Sequence, residues 1–269
     1  LSLLFSVDMV SKVREVYPRM SRDDALDLTR NLRLSEPQVL QELERRKMEY
    51  QALELELHRW AAADYPGDHE LLGWMNPNLR IAMTAQILKA WRQESLEYHP
   101  GLLHAHGLEL RLDGNNLPNI DFMPAIKGFE HIEYLKIAGT AFPPTGNAFL
   151  RQFPNLKKLH LDCGLTQLPS SITQMTQLEI LDLNNNNNIV LDTQSRQQLA
   201  GMTHLARLNL SHNPLNLSPD VSAMTRLHSL DLHRTGISQW PIGAERLPQL
   251  RDLRLQENNI ATIPDVLFT

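Results

Sequence analysis

The residues with the most chemical potential in this sequence are a single cysteine, Cys163, and 11 histidines. A lone cysteine can serve as a nucleophile when a base removes its proton, and closely spaced histidines can bind a metal ion. Neither has the companions that such chemistry needs. His99, His104 and His106 have no cysteine or carboxylate at ligand spacing, and the chain has no glycine-rich phosphate loop, nucleophile elbow or pair of catalytic carboxylates. We therefore predict no catalytic residue, metal site or cofactor within this chain.

The bulk composition restricts the class of partner. The 269 residues carry a formal net charge of −5 with a pI near 6.1, which argues against a nucleic-acid ligand because phosphate binding usually requires a basic surface. One cysteine cannot form a disulfide within the chain, and no apolar run approaches the ~18 residues that a membrane span requires. The chain also lacks an initiating Met, and we interpret it as a monomeric piece of a longer protein.

Residues 1–101 show helical periodicity and no repeat, which predicts an N-terminal α-helical capping domain. Ser21 is followed by two acidic residues, as in a helix N-cap, and Ser35-Glu36-Pro37-Gln38 has the sequence of a capping box. Helices should therefore begin at both positions. A third helix is expected to begin at Asn76-Pro77 and to end before His99-Pro100-Gly101.

The helix predicted over residues 36–63 has an apolar face and many charged residues. Its apolar face consists of Leu40, Leu43, Tyr50, Leu53, Leu57 and Trp60. Such a pattern fits either a coiled coil with a partner or a helical hairpin that packs within the domain and covers the first repeat. The face is only about three heptads long, and Lys47 interrupts it, which favours the hairpin.

Residues 102–269 contain a repeated pattern, L-x-x-L-x-L-x-x-N-x-L. The first leucine of the L-x-L pair recurs at spacings of 25, 24, 22, 27, 22 and 23 residues, within the range of leucine-rich repeats. These leucines are Leu110, Leu135, Leu159, Leu181, Leu208, Leu230 and Leu253. We predict that each pair lies on a short parallel strand and points into a common core. The predicted fold class is an α/β solenoid, a leucine-rich-repeat horseshoe of about seven repeats (102–269) with an α-helical cap (1–101).

A second column of residues follows the strands and holds the turns. It reads Asn115, Thr140, Cys163, Asn186, Asn213, Thr235 and Asn258 when the third repeat is given a deletion of one residue. Asn and Thr side chains in this position can bond backbone groups that the bend leaves unpaired. Cys163 therefore occupies a structural position, where burial would raise the pKa of its thiol.

The side chains that alternate with the leucines should line the inner, concave face of the solenoid, where such folds bind their partners. Seven strands at ~4.8 Å spacing give a face about 29 Å wide, which suits a protein partner. The alternative is an ordinary solvated sheet with mixed polar residues. The candidate partner-binding residues are Tyr134, Lys136, Lys158, His160, Ile180, Asp182, Arg207, Asn209, Asp231, His233 and Arg254. The central column is basic at one end and acidic in the middle, and His212 and His233 should face each other on adjacent strands.

Several longer strings carry a family resemblance. They are Val13–Pro18, Phe149–Pro154, Ile189–Asp192 with Gln197–Leu199, Ser211–Leu215 and Asp231–Pro241. Together they resemble large proteins of Gram-negative bacteria in which leucine-rich repeats precede a NEL domain, the "novel" bacterial ubiquitin-ligase module. The most specific of the strings is Asp-Leu-His-Arg-Thr-Gly-Ile-Ser-Gln-Trp-Pro, residues 231–241.

The resemblance implies a secreted effector that ubiquitinates host proteins in the host cytoplasm through a cysteine thioester. The repeats would select the host substrate, and ubiquitin and its conjugating enzyme would bind a catalytic domain C-terminal to these residues. The family's catalytic cysteine belongs to a Cys-x-Asp motif, whereas Cys163 is followed by Gly164-Leu165, so no residue of this chain carries that role. The alternative is a non-catalytic repeat protein that acts in adhesion or as a scaffold.

Overall fold

The computed structural model describes residues 7–63, 77–94, 109–113, 123–139 and 147–268. The helices of these residues are α1 (Val7–Val16), α2 (Arg22–Asn31), α3 (Glu36–Ala62), α4 (Pro77–Trp91), α5 (Asn147–Leu150) and α6 (Thr193–Ala200). The strands are β1 (Glu109–Asp113), β2 (Tyr134–Ala138), β3 (Lys158–Asp162), β4 (Ile180–Asp182), β5 (Arg207–Asn209), β6 (Ser229–Asp231) and β7 (Asp252–Arg254). A helical N-terminal part thus precedes a repetitive β part. The predicted boundary between residues 101 and 102 lies outside the described residues.

Local sequence signals set the helix starts as predicted. The Ser21 hydroxyl accepts a hydrogen bond from the Asp24 backbone N–H at 3.1 Å, and α2 begins at the next residue. The Gln38 side chain accepts the Ser35 backbone N–H at 3.0 Å, which is half of a capping box, and α3 begins at Glu36. The predictions above do not include α1. Its signal is the i, i+4, i+7 spacing of three buried residues, Met9, Val13 and Val16.

The apolar face of α3 packs against α1 and α4, which makes α3 part of a helical hairpin. One predicted member of that face is wrong: Leu40 is 39% exposed, whereas Val39 is fully buried. Residues 39 and 40 flank the edge of the face, and the helix presents the β-branched one to the core. Lys47 fills the gap in the apolar face and forms an ion pair with Glu15 of α1 at 3.1 Å.

The last helix of the cap contacts the first repeats directly. α4 ends at Trp91, earlier than predicted, and the expected break at residues 99–101 lies outside the described residues. The Trp91 indole N–H donates to the Lys127 carbonyl at 3.1 Å, and the His131 ring N–H donates to the Ala90 carbonyl at 2.8 Å. Gly128 is required here because a Cβ would overlap the Trp91 indole nitrogen. The helices therefore cap the array, as the sequence predicts.

The β part is a parallel sheet whose seven strands pair in sequence order. The register is the one that the leucine spacing predicts: Leu110, Leu135, Leu159, Leu181, Leu208, Leu230 and Leu253 are consecutive partners. Every one of them except the last is at most 1% exposed. A single repeat cannot bury its leucines alone, so the core continues from one rung to the next. The predicted α/β solenoid is confirmed.

Candidate protein-binding surface

The concave face of the sheet consists of the strand residues that alternate with the buried leucines. Two columns of the face run across the rungs in hydrogen-bonded register. The first column is Tyr134, Lys158, Ile180, Arg207, Ser229 and Asp252, and the second is Lys136, His160, Asp182, Asn209, Asp231 and Arg254. His233 follows β6 by two residues. The structure therefore places all eleven predicted partner-binding residues on or beside one surface.

A ladder of side-chain amides supports this surface from the inside. Asn186 accepts the N–H groups of Cys163 and Leu165, both at 3.0 Å, and donates to the carbonyls of Leu161 and Leu183, both at 2.8 Å. These bonds join two successive repeats, because three partners belong to the third repeat and one to the fourth. The amide thus satisfies backbone groups that each bend leaves without a ladder partner.

The same bonding recurs in the later repeats. Asn213 accepts the Ile189 N–H at 3.4 Å and donates to the Leu183 carbonyl at 2.8 Å, and Asn258 accepts the Thr235 N–H at 3.0 Å and donates to the Leu232 carbonyl at 2.7 Å. The predicted turn column is confirmed from Cys163 onward. Asn115 and Thr140 lie outside the described residues.

Cys163 has the properties of a structural residue. It is 1% exposed, and burial raises the pKa of its thiol to about 12. A thiol that remains protonated at neutral pH and is closed to solvent is a poor nucleophile. Across residues 7–63, 77–94, 109–113, 123–139 and 147–268, no group of three or more His, Cys, Asp or Glu side chains is arranged to hold a metal ion. His99, His104 and His106 lie outside those ranges.

The central column has a structural role that the sequence analysis does not predict. Asp182, Asn209 and Asp231 each accept the backbone N–H of the residue two positions later, at 3.1, 3.0 and 3.0 Å. Such a side-chain bond removes a donor from the strand ladder. Strands β4, β5 and β6, which carry these residues, are three residues long, whereas β1, β2 and β3, which carry Arg or Lys or His in this column, are five residues long.

Most carboxylates of the concave face also have cationic or hydroxyl partners within it. Asp182 lies 3.1 Å from the His160 ring, and Asp231 lies 3.6 Å from the Arg254 guanidinium. Asp252 bonds the Ser229 hydroxyl at 3.2 Å and Arg254 at 3.4 Å. In the first rung, Glu109 is paired with Arg111. The two aspartates in the acidic middle that the sequence predicts, Asp182 and Asp231, therefore already have side-chain partners inside the sheet.

Two cations of the face differ from these carboxylates. In the described part of the chain, neither Lys158 nor Arg207 forms an ion pair or a side-chain hydrogen bond, and Arg207 is exposed. Although the whole chain is acidic, its concave face thus carries two cations, one on β3 and one on β5, that have no ion-pair partner among the described residues.

The predicted His212–His233 pair lies at the end of the strands, where its rings meet edge to face with centroids 5.1 Å apart. Glu257 lies 3.8 Å from the His233 ring and 2.9 Å from Arg234. His212, Arg234 and Glu257 all have positive φ, between 54° and 58°, at the same position of successive repeats. None of the three is a glycine, so their residue types do not indicate a left-handed backbone. Only the alignment of the repeats could have identified this position.

Comparisons with known proteins give partial matches. No family model matches the chain. It is 36% identical over 111 residues to the transforming growth factor beta activator LRRC33 of Danio rerio, and this alignment covers 40% of this chain and 16% of that protein. It is 28% identical over 204 residues to the volume-regulated anion channel subunit LRRC8B of Mus musculus, and this alignment covers 73% of this chain and 21% of that protein. The chain thus spans about a fifth or less of the length of these curated relatives.

Two solved structures are similar. The leucine-rich repeat domain of the type III effector XopL aligns with 99% of this chain and 78% of that one, at a TM-score of 0.47 and 14% identity. A leucine-rich-repeat protein of Leptospira interrogans aligns with 52% of this chain and 35% of that one, at a TM-score of 0.44 and 28% identity. No helix among the described residues is both long and apolar enough to span a membrane. The chain is a leucine-rich-repeat region with the surface of a protein-binding module.

Proposed function

We propose that this chain is the substrate-recognition region of a secreted bacterial ubiquitin-protein ligase. It binds a host protein on its concave face in the host cytoplasm, and a NEL-type domain C-terminal to these residues transfers ubiquitin to that protein. The observation that carries the proposal is the placement of the predicted binding residues on one continuous surface above a rigid amide ladder. The string Asp231–Pro241 connects that surface to the ligase family.

The division of labour follows from the chemistry of the described residues. Thioester formation needs a cysteine whose thiol can lose its proton and reach solvent. Cys163 meets neither condition, since burial raises its pKa to about 12. The repeats therefore contribute binding, and ubiquitin and its conjugating enzyme act on the catalytic domain.

The first test separates binding from transfer. The complete protein and residues 1–269 alone are each mixed with a conjugating enzyme that carries ubiquitin as a thioester. We expect the complete protein to discharge the ubiquitin and residues 1–269 to leave it bound. Discharge by residues 1–269 would contradict the assignment of the chemistry to another domain. A complete protein without discharge would favour the second candidate function, a non-catalytic scaffold, which the buried state of Cys163 also fits.

The second test locates the binding surface. A photocrosslinking amino acid replaces Ile180 on the concave face or, as a control, Met48, which is 63% exposed on the opposite side of α3 from its buried face. Residues 1–269 with either replacement are irradiated in host cytosolic extract. We expect a discrete adduct from position 180 only, and the captured protein should be ubiquitinated by the complete ligase. Adducts from position 48 alone would contradict a role for the concave face.

A further inference from the structure

One column of the concave face alternates apolar and cationic side chains. Tyr134, Lys158, Ile180 and Arg207 are consecutive partners across β2, β3, β4 and β5. We call these four residues the cationic column. Each side chain is on the solvent side of the sheet, next to a buried leucine of the same strand. The order across the rungs is therefore aromatic, positive, aliphatic and positive.

The two cations of the column are available to a partner. Lys158 and Arg207 form no ion pair in the described residues. Glu133 and Glu179, which directly precede β2 and β4, both interact with Lys157, and Glu133 bonds it at 2.8 Å. On the face itself, Asp182 pairs with His160. A ligand with negative charge would therefore meet two cations without first displacing an internal carboxylate.

The spacing of the column selects the shape of the ligand. Lys158 and Arg207 are two rungs apart, which corresponds to about 9.6 Å at the usual strand spacing, with Ile180 midway. On an α-helix, residues seven positions apart lie on one face at about 10.5 Å, with a residue of the same face midway. An extended peptide offers about 6.6 Å or 13 Å on one face, so neither of its spacings matches.

We infer that the partner presents an acidic amphipathic α-helix that lies across β2–β5. Resting on the protein-binding role proposed above, this inference names the kind of element that is bound. At successive turns, the helix carries an apolar residue toward Tyr134, a carboxylate toward Lys158, an apolar residue toward Ile180 and a carboxylate toward Arg207. The corresponding positions are i, i+4, i+7 and i+11. A helix lying in a groove is an established mode of peptide recognition, and here the groove is the concave face of a solenoid.

The test is a selection from a displayed library of one helical peptide in which positions i, i+4, i+7 and i+11 are randomised. Three forms of residues 1–269 serve as targets: the wild type, the charge reversal Lys158→Glu/Arg207→Glu, and the matched control Lys89→Glu/Arg226→Glu. The control makes the same charge change at two exposed residues outside the sheet. Circular dichroism and thermal unfolding check that all three forms are folded.

We expect the wild type and the control to enrich carboxylates at i+4 and i+11 with apolar residues at i and i+7. The charge reversal should enrich Lys or Arg at i+4 and i+11 instead. In fluorescence anisotropy, the best acidic helix should bind the charge-reversed form about tenfold more weakly or worse, with a dependence on salt. The inference is overturned if no helix is enriched, or if the acidic helices bind the charge-reversed form equally well. If the inference is overturned but the photocrosslinker at position 180 still captures a host protein, the concave face binds a partner that does not present an acidic helix.

Discussion

The first three rungs and the later rungs of the sheet are stabilised in different ways. β1–β3 are five residues long, α4 of the helical cap contacts β1, and Trp91 and His131 form hydrogen bonds between the cap and the segment before β2. β4–β6 are three residues long, and their Asp182, Asn209 and Asp231 side chains accept backbone N–H groups just beyond the strand ends. The same L-x-L pattern therefore occurs in strands of two lengths with different local contacts.

The difference also divides the chemistry of the concave face. In the later rungs, the Asp and Asn residues of the central column bond their own backbone, so they are committed to structure. In the first rungs, the central column consists of Arg111, Lys136 and His160, whose side chains cannot accept such a bond when they are charged. The Asp residues of the central column keep their charge, but one oxygen of each is already occupied by a backbone N–H.

The largest expected effect comes from breaking the contact between the cap and the first rungs. Trp91→Ala removes an indole that stacks on Tyr17, contacts Tyr50 and bonds the Lys127 carbonyl, and it should reduce the free energy of unfolding by about 3–5 kcal/mol. Hydrogen exchange should show loss of protection in β1–β3 and retention in β5–β6. The control Trp240→Ala, in the sixth repeat, should leave β1–β3 protected. If both variants lost hydrogen-exchange protection equally in all strands, the first and later rungs would not differ in their dependence on the cap.

The next effect comes from the amide ladder. Asn213→Ala leaves the Ile189 N–H and the Leu210 carbonyl without their side-chain partner in a buried site and removes one of two amide donors to the Leu183 carbonyl, which should cost about 2–4 kcal/mol in urea unfolding. Asn258→Ala makes the same change in a half-buried site, where water can replace the lost bonds, so its cost should be smaller. Equal costs would mean that the ladder does not depend on burial.

A smaller effect is expected from the strand-end acceptors. Asp231→Ala deletes the acceptor of the His233 N–H and should lower the free energy of unfolding by about 1 kcal/mol. Asp231→Asn keeps an oxygen in the same place and should restore most of that loss. His160→Ala, at the matching position of β3, should have little effect on stability because its side chain has no such backbone bond. A large decrease in the free energy of unfolding from His160→Ala would show that this column stabilises the first rungs as much as the later ones.

The smallest effect concerns pH. Burial lowers the pKa of His131, so the folded state resists protonation more than the unfolded chain does. Stability is then fully present above the ordinary histidine pKa near 6.5 and decreases as the pH falls below it, because the unfolded state binds the proton more readily. His131→Gln should flatten this part of the stability profile measured from pH 7.5 to 5.5. An unchanged profile would show that His131 does not link the cap to acid sensitivity.

Features that depend on spacing could be predicted from the sequence, and features that depend on local geometry could not. The register of all seven strands follows from the leucine positions, since a shift of one residue would expose the leucines. Leu40 was placed in the core because helical spacing alone does not distinguish it from Val39 at the edge of the face. The acceptor role of Asp231 could not be predicted, because it requires knowing where the strand ends.

The candidate surface shows the same limit. Its eleven residues were predictable from the alternation along each strand. Which of them remain available to a partner was not, because availability depends on ion pairs across the rungs, such as His160 with Asp182. The most specific of the strings that carry the family resemblance, residues 231–241, lies in the sixth repeat, and its Thr235 and Ile237 are both buried in the turn.

The amide ladder also gives the chain a direction of assembly. Asn186 completes the turn of the third repeat, Asn213 that of the fourth, and Asn258 that of the sixth, so each of these amides supplies bonds to the repeat made before its own. During synthesis from the N-terminus, a repeat becomes fully bonded only when its successor has emerged from the ribosome. The helical cap appears first and offers the initial template. The order of translation thus coincides with the order in which the rungs can close.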